Sequence, residues 1–563
     1  MKRTSVLAVL LFLSTVLLAA PAKKEFPKLD EQLRHAKAKP GSALEKLIRE
    51  NQDFSNLKDR DADDKIVPPW LKVYWRKKHA EEDYDDPNDP TGGYPFVLKE
   101  IFEWMTTHQD LKPGRPTISA SANVSLAATL EVTPGANVST SGPQTSSRSE
   151  SDIRVNYRNP QQIVAASNNI RGSGAQGMYY SSDGGATWGQ THLPIRTGDS
   201  FHADPTVDWT LDGVAWSTTI GISGNVLQIR SYRSSDGGAT WSYDGTVSGR
   251  YSNADKQRQW IDHSPSSPYR NHNYVIWRGG SAAYINRRTS AGWQMPVKIN
   301  GRETSGSPVG GDVKTNAGGD VFGLYPDTGS RGIYAVKSTD GGAKYSVPVR
   351  IAQTYGAFDI GIPAFNGRRM LIYVSAGAYR NGTTNHVYAL WADLSGDSGC
   401  TARTNEPGLN AASPCKTRVF FSRSTNGGAT WSPREKINNQ SGVNDQFNPA
   451  LTVDETNGNL VAIYYDTVAD GSRKKVDVYS QVSADGGATW QRAVKVTTAM
   501  TDETVAGSDS HQFGDYNGLS GHANVFFPSW TDRRTGNEEI WTSKIVTAPL
   551  LQIVRGSSLC IAP

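Results

Sequence analysis

The sequence predicts an all-β chain built mainly as a β-propeller of seven four-stranded blades, or six if the last unit only completes the first. Three observations lead there. A short pattern recurs five times, as Tyr180-Ser-Ser-Asp183-Gly-Gly-Ala-Thr-Trp188, Arg233-Ser-Ser-Asp236-Gly-Gly-Ala-Thr-Trp241, Lys337-Ser-Thr-Asp340-Gly-Gly-Ala-Lys-Tyr345, Arg423-Ser-Thr-Asn426-Gly-Gly-Ala-Thr-Trp431 and Val482-Ser-Ala-Asp485-Gly-Gly-Ala-Thr-Trp490. With a worn copy at Ser290-Ala-Gly-Trp293, the spacings are mostly about 50–60 residues, the length of a propeller blade. Each turn is preceded by two strand signals, such as Asp204-Pro-Thr-Val-Asp208 with Val214-Ala-Trp-Ser217, Ile362-Pro-Ala-Phe365 with Met370-Leu-Ile-Tyr373, and Asn448-Pro-Ala-Leu-Thr-Val453 with Leu460-Val-Ala-Ile-Tyr464. Composition agrees: 563 residues exceed one ordinary compact domain unless it repeats, and 55 Gly, 15 Trp and 23 Tyr suit strands joined by tight turns.

The elements follow in order. Residues 1–22 read as a secretory signal: Lys2 and Arg3 lead an apolar run that ends at Ala20-Pro21-Ala22, an A-x-A cleavage site. Residues 23–112 are charged and helix-leaning, either an extension or a removable pro-segment. Residues 113–150 are rich in Ser, Thr, Gly and Pro and read as a linker, or as a strap with one strand near 127–132. Residues 151–549 carry the repeats, and 550–563 form a tail. The expected protein is exported, secreted or periplasmic, without a membrane span, and monomeric. A net charge of +4 over the whole chain gives no reason to expect a nucleic-acid partner. Of three cysteines, Cys400 and Cys415 bracket a polar loop that a disulfide could pin in an oxidising compartment, leaving Cys560 over.

The repeated turn has a local logic. Asp or Asn accepts hydrogen bonds from turn amides, Gly-Gly supplies positive φ, and the following Trp packs between blades. Asp183, Asp236, Asp340, Asn426 and Asp485 are therefore structural, each placed between the outer two strands of its blade. Chemistry is expected elsewhere, where the starts of the innermost strands converge on the central channel. Asp204, Asp262, Asp312, Asp359 and Asp515 are read there as a carboxylate ring for acid/base work or for a structural Ca²⁺. Asp204 is the first acid/base candidate. Tyr516 beside Asp515, and Tyr465 beside Asp466, are candidate nucleophiles. Arg533 and Arg534 follow the strand ending at Trp530, and one of them is read as gripping an anion. Arg278, Arg368 and Arg369 could add further guanidinium groups. His202, His263 and His511 share no metal-ligand spacing and are given no role.

The five S-x-D/N-G-G-x-T-W turns resemble the Asp-box (BNR) repeats of the sialidase-like superfamily. Gly514-Asp-Tyr-Asn-Gly518, Trp530-Thr-Asp-Arg-Arg534 and Glu539-Ile-Trp541 are similar to exported bacterial members of it. The resemblance implies a propeller over about 400 residues, needing no cofactor. It also implies an active site where arginines hold a sugar carboxylate, a Tyr activated by a carboxylate attacks, and an Asp is the acid/base. The family's Arg-Ile-Pro motif is absent; Arg154, in Asp152-Ile-Arg154-Val, sits near its place. Carried onto this chain, the site reads Arg154 and Arg533 on the substrate, Asp204 as acid/base and Tyr516 as nucleophile. The expected activity is that of a glycoside hydrolase on exposed glycans, exo-α-sialidase by family default. A non-catalytic glycan- or protein-binding propeller and a polysaccharide lyase stand as alternatives.

Overall fold

The computed structural model describes residues 129–169, 172–509 and 511–549. The leader, the helical extension, the first part of the linker and the tail with Cys560 lie outside the described residues.

Seven antiparallel sheets, each built on a row of four strands, form seven blades, as expected; those of blades 3 and 6 carry a short fifth strand. Their innermost strands are, in chain order, Arg148–Val155, Phe201–Trp209, Ala254–Ile261, Asp312–Thr315, Val374–Asn381, Gln446–Val453 and Gly518–His522. Each packs on the next, and the last packs on the first, so the ring closes. Closure is completed in blade 7, where Leu130–Ser139 pairs antiparallel with Glu539–Pro549, from Leu130 opposite Pro549 to Ser139 opposite Trp541. That strand lies in the stretch read as linker or strap. Donating it to the last blade leaves no gap in the ring.

Apolar side chains from facing blades fill the wedges between sheets. Trp209, Trp277, Trp391 and Trp530 are among the largest fully buried residues. The five repeated turns all lie between the outer two strands of a blade, and in each a Ser hydroxyl donates to the Asp or Asn two residues on, which also accepts the amide four residues beyond itself. In the first, the Ser181 hydroxyl donates to Asp183 (2.8 Å), and the Thr187 amide and hydroxyl donate to the two Asp183 oxygens (2.9 and 2.6 Å). The Trp188 indole N–H closes on the Gly185 carbonyl at 3.2 Å. Those donors, Thr187 foremost, hold the Asp183 carboxyl down at about 2. These groups join the outer strands of their blades, away from the inner strands.

Blade 5 departs from the expected register. Ile362–Phe365 and Met370–Tyr373 are not its first two strands. They belong to an inserted hairpin, Asp359–Ile360 against Met370–Leu371, and the inner strand is Val374–Asn381. Cys400 and Cys415 are bridged in a second insertion of that blade. The buried Arg473 donates to the carbonyls of Ser413 and Cys415 (both 3.0 Å) and to Asp445 (2.6 Å), tying that loop to blade 6.

One backbone device recurs where the inner strands begin. The ladder slips between Ser149 and Asp152, Ala203 and Thr206, Asp255 and Arg258, and Phe447 and Ala450. Inside each slip one residue turns left-handed: Glu150 (φ 56°), Asp204 (54°), Lys256 (55°) and Asn448 (46°). In blades 4 and 7, Gly310 (86°) and Gly514 (70°) are left-handed just ahead of the strand. Such bulges re-aim a side chain, and several of these residues meet at one mouth of the channel.

Candidate functional site at the channel mouth

The Lys256 ammonium is the hub. It is 3% exposed and lies 3.8 Å from Glu150 Oε2, 3.7 Å from Asp204 Oδ2 and 3.5 Å from Asp515 Oδ2. Its other neighbour is the Tyr516 ring, whose centroid is 3.6 Å away; the Arg258 guanidinium packs on the same ring at 4.1 Å. Arg368, from the inserted hairpin, pairs with Asp515 and lies 3.8 Å from Glu150 Oε1. The Tyr373 hydroxyl donates to Asp515 Oδ2 at 3.3 Å. Four blades and a hairpin thus supply three carboxyls, three cations and two phenols. Asp204, Asp515, Tyr373, Arg258 and Arg368 reach solvent, while Glu150, Lys256 and Tyr516 lie behind them.

The electrostatics suit proton transfer. Burial pushes the Glu150 carboxyl above its ordinary value; Lys256 opposes this, and the adjoining Asp204 carboxyl adds to the rise. Burial, then the Glu150 charge, raises Asp515 as well. Burial keeps both phenols far above their usual range. Neighbouring carboxyls in a poorly solvated site share protons because two adjacent anions there are costly.

The structure brings Asp204, Asp515 and Tyr516 together, but it alters the expected part of Tyr516. Its hydroxyl donates to the Pro205 carbonyl at 3.2 Å and its ring carries two cations, the place of a stacking platform, with no carboxylate among the described residues holding its hydroxyl. Tyr373 is the tyrosine held by a carboxylate. Tyr465 is fully buried, with its hydroxyl on the Thr531 carbonyl.

The proposed arginine pair does not form. Arg154 lies inside the channel, 7% exposed, 3.5 Å from Asp152 and 3.9 Å from Asp208, and donates to the Leu519 carbonyl (2.8 Å). Arg533 donates to the Gly536 carbonyl (2.6 Å) and sits 3.8 Å from Glu538; Arg534 pairs with Asp532 (2.6 Å) and packs on Trp541. Ring closure makes their blades neighbours, yet one arginine is on an inner strand and the others follow the second strand of blade 7.

The carboxylate ring also breaks up. Asp262 comes after its inner strand, where it holds a turn through Ser264 and Ser267. Asp359 is clamped by Arg369 at 2.8 Å, and Asp312 lies in the channel with Lys314 at 2.6 Å. Of those carboxylates only Asp204 and Asp515 lie around the Lys256 ammonium group, and among the described residues no group of three or more His, Cys, Asp or Glu is set to hold a metal ion. Sequence reasoning missed Glu150, Lys256, Arg258 and Tyr373. The signal available was positional: Glu150, Asp204, Lys256 and Asn448 occupy one register position once the inner strands are aligned on their bulges.

At the far ends of the inner strands, His263 Nε2 donates to Asp208 at 2.8 Å and its Nδ1 lies 3.8 Å from Glu455. Burial opposes its charge, but Asp208 and Glu455 outweigh it and raise the imidazolium to about 10. The imidazolium is thus one more fixed charge of the channel interior.

No protein-family model matches the chain, and no curated protein matches it in sequence. Among solved structures it is similar to the α-L-arabinofuranosidase of Fusarium graminearum complexed with arabinobiose (12% identity, 73% of this chain and 98% of that one, TM-score 0.40). It is also similar to the BP39L lectin of Burkholderia pseudomallei (11%, 72% and 99%, TM-score 0.45) and to the Hadza microbial sialidase Hz136 (14%, 64% and 68%, TM-score 0.38). The propeller itself stands on the strand pairing described above.

Proposed function

We propose that this chain is a glycoside hydrolase that cleaves a carboxylate-bearing sugar from a glycan at the Lys256 mouth, with exo-α-sialidase activity as the finer reading. The observation that carries it is the Tyr373 hydroxyl donating to Asp515 at 3.3 Å, beside Asp204 and the cations Lys256, Arg258 and Arg368. A phenol is a suitable nucleophile for an anionic sugar because it brings no negative charge to the approach. In the first step Tyr373 Oη bonds to the anomeric carbon and its proton passes to Asp515. The glycosidic bond breaks, and the leaving oxygen takes a proton from Asp204, which Glu150 backs as proton-sharing partner. In the second step water attacks the anomeric carbon and gives its proton to Asp204. The Tyr373 oxygen leaves and recovers its proton from Asp515. Arg368 and Arg258 face the sugar carboxylate. The leader read at residues 1–22 goes with action on glycans outside the cytoplasm.

One observation favours a second reading, a propeller that binds glycan without turnover: Arg368 and Lys256 are already paired with the chain's own carboxylates. Incubating the protein with sialosides, uronate polymers and neutral glycans separates the two. Release of sugar from acidic glycans, lost by about 10²–10⁴-fold in Tyr373→Phe and in Asp204→Asn but kept in Tyr516→Phe, supports the hydrolase. Binding without release supports the second reading, and full activity in Tyr373→Phe overturns the assigned nucleophile.

A further inference from the structure

We infer that Gln512 is the positioning residue of the mouth: it sets where Arg368 stands although it touches no reacting group. The inference rests on the reading of Arg368 as a substrate-binding residue. Arg368 is at the tip of the inserted hairpin and has no strand neighbour to fix its backbone. The tip is instead held from the segment leading into blade 7, where Asn366 Nδ2 donates to the Thr504 carbonyl (3.1 Å) and one buried side-chain amide makes the remaining bonds. Gln512 Oε1 accepts the backbone N–H groups of Gly367 (3.2 Å) and Arg368 (3.1 Å). Gln512 Nε2 donates to Asn366 Oδ1 and to the Glu503 carbonyl, both at 2.7 Å. Both lone pairs of the oxygen and both N–H groups are used, which is the full capacity of a primary amide.

The residue is 1% exposed and its own backbone is left-handed (φ 48°), an uncommon state for a residue other than Gly, Asn or Asp. Strain of this kind persists where the surroundings over-determine it, and it concentrates near sites. The apolar neighbours repeat the same join: Phe513 packs edge-on to Phe365 of the hairpin, with ring centroids 5.3 Å apart. The two joined segments are the ones that supply the site. One carries Arg368 and Tyr373, the other Asp515 and Tyr516, and Arg368 pairs with Asp515. Because an amide needs a donor and an acceptor face here, neither Glu nor Met can replace it fully. Glu keeps an acceptor for Gly367 and Arg368 but loses the donors to Asn366 and Glu503; Met loses both.

Amide hydrogen exchange followed by mass spectrometry, with peptides covering residues 362–372, tests this in the full chain. Losing two buried hydrogen bonds should speed exchange at Gly367 and Arg368 by about tenfold or more in Gln512→Met, with a smaller gain in Gln512→Glu. Peptides from blades 2 and 3 should exchange as in the wild type. In a turnover assay on the acidic glycan found active, KM should rise about tenfold in Gln512→Met with kcat within about twofold, as in Arg368→Ala. Unchanged exchange at 366–368 in a folded Gln512→Met overturns the inference. Raised exchange with kcat lost and KM unmoved also overturns it, because the effect would then not run through Arg368. If no glycan is cleaved by the wild type, the proposed hydrolase fails while the exchange experiment still decides the part played by Gln512.

Discussion

Replacing Lys256 with Met tests the electrostatic design of the mouth most directly. The ammonium lies 3.5–3.8 Å from three carboxyls whose side chains are 4%, 14% and 13% exposed, and it is itself 3% exposed. Met matches the stem length and removes only the charge. Deleting one partner of a buried ion pair costs about 3–5 kcal/mol, because the other charge is left unpaired. Arg368 still stands beside Glu150 and Asp515, which puts the expected loss near the lower end, about 3 kcal/mol. That is a large share of a domain's total stability of about 5–15 kcal/mol. The pH dependence fixes the cause. Glu150 and Asp515 already titrate above their unfolded values, and Lys256 is what opposes the rise. Without it they bind protons still more tightly in the folded state than in the unfolded one. Stability of the variant should therefore fall as pH rises from about 4 to 7, more steeply than in the wild type, and recover on acidification. Urea unfolding monitored by tryptophan fluorescence at several pH values measures both. A Lys256→Met protein with the wild-type midpoint at pH 7, or one whose deficit persists undiminished at pH 4, would refute the reasoning. Adding Asp204→Asn to Lys256→Met should restore part of the loss, since it removes a carboxylate whose ion pair is with Lys256.

Two further outcomes follow from other parts of the fold. Replacing Cys400 and Cys415 with Ser should lower stability by about 3 kcal/mol, the loop-closure contribution for a separation of 15 residues, as read by thermal unfolding with and without reductant. His263, raised to about 10 in the fold against an ordinary 6.5, lends stability that is complete below about pH 6.5 and disappears as pH climbs through about 10. Urea unfolding across that window should decline in the wild type and stay nearly flat in His263→Gln.

What the sequence discloses and what it hides divide along the range of the interactions. The repeated turns are legible because the side-chain bonds that shape them span at most four residues, as from Asp183 to Thr187. With the strand pairs between them they bring the blade count to seven or six. The closing strand, Leu130–Ser139, is hidden because its partners are some 400 residues away and its Pro, Gly and Ser content is that of a strap. The hairpin before blade 5 was read as two blade strands because it carries the same apolar pattern as a strand pair. At the mouth, Asp204 and Asp515 are readable as acids near strand starts. Lys256 and Glu150 are not, since a bulge, invisible in composition, turns them inward. Tyr516 and Tyr373 look alike in sequence, and only the fold gives one a backbone carbonyl and the other a carboxylate. Arg154 and Arg533 were joined by the adjacency of their blades, which says nothing of depth along the channel or distance from its axis.

The left-handed residue inside each bulge restricts what can be written at the mouth. An L residue there costs about 1–2 kcal/mol unless it is Gly or a short polar residue such as Asn or Asp. Asn448, Asp204, Gly310 and Gly514 fit that restriction, and Glu150 and Lys256 depart from it. β-Branched residues are shut out, so the rim cannot drift toward the Val and Ile of the strands behind it. The backbone therefore offers a row of equivalent sockets with a small vocabulary: glycine for room, an amide for neutral contacts, an acid for protons, and a long charged chain where the added strain is offset. A change of chemistry on such a scaffold needs one substitution in one socket and leaves the pairing of the blades untouched.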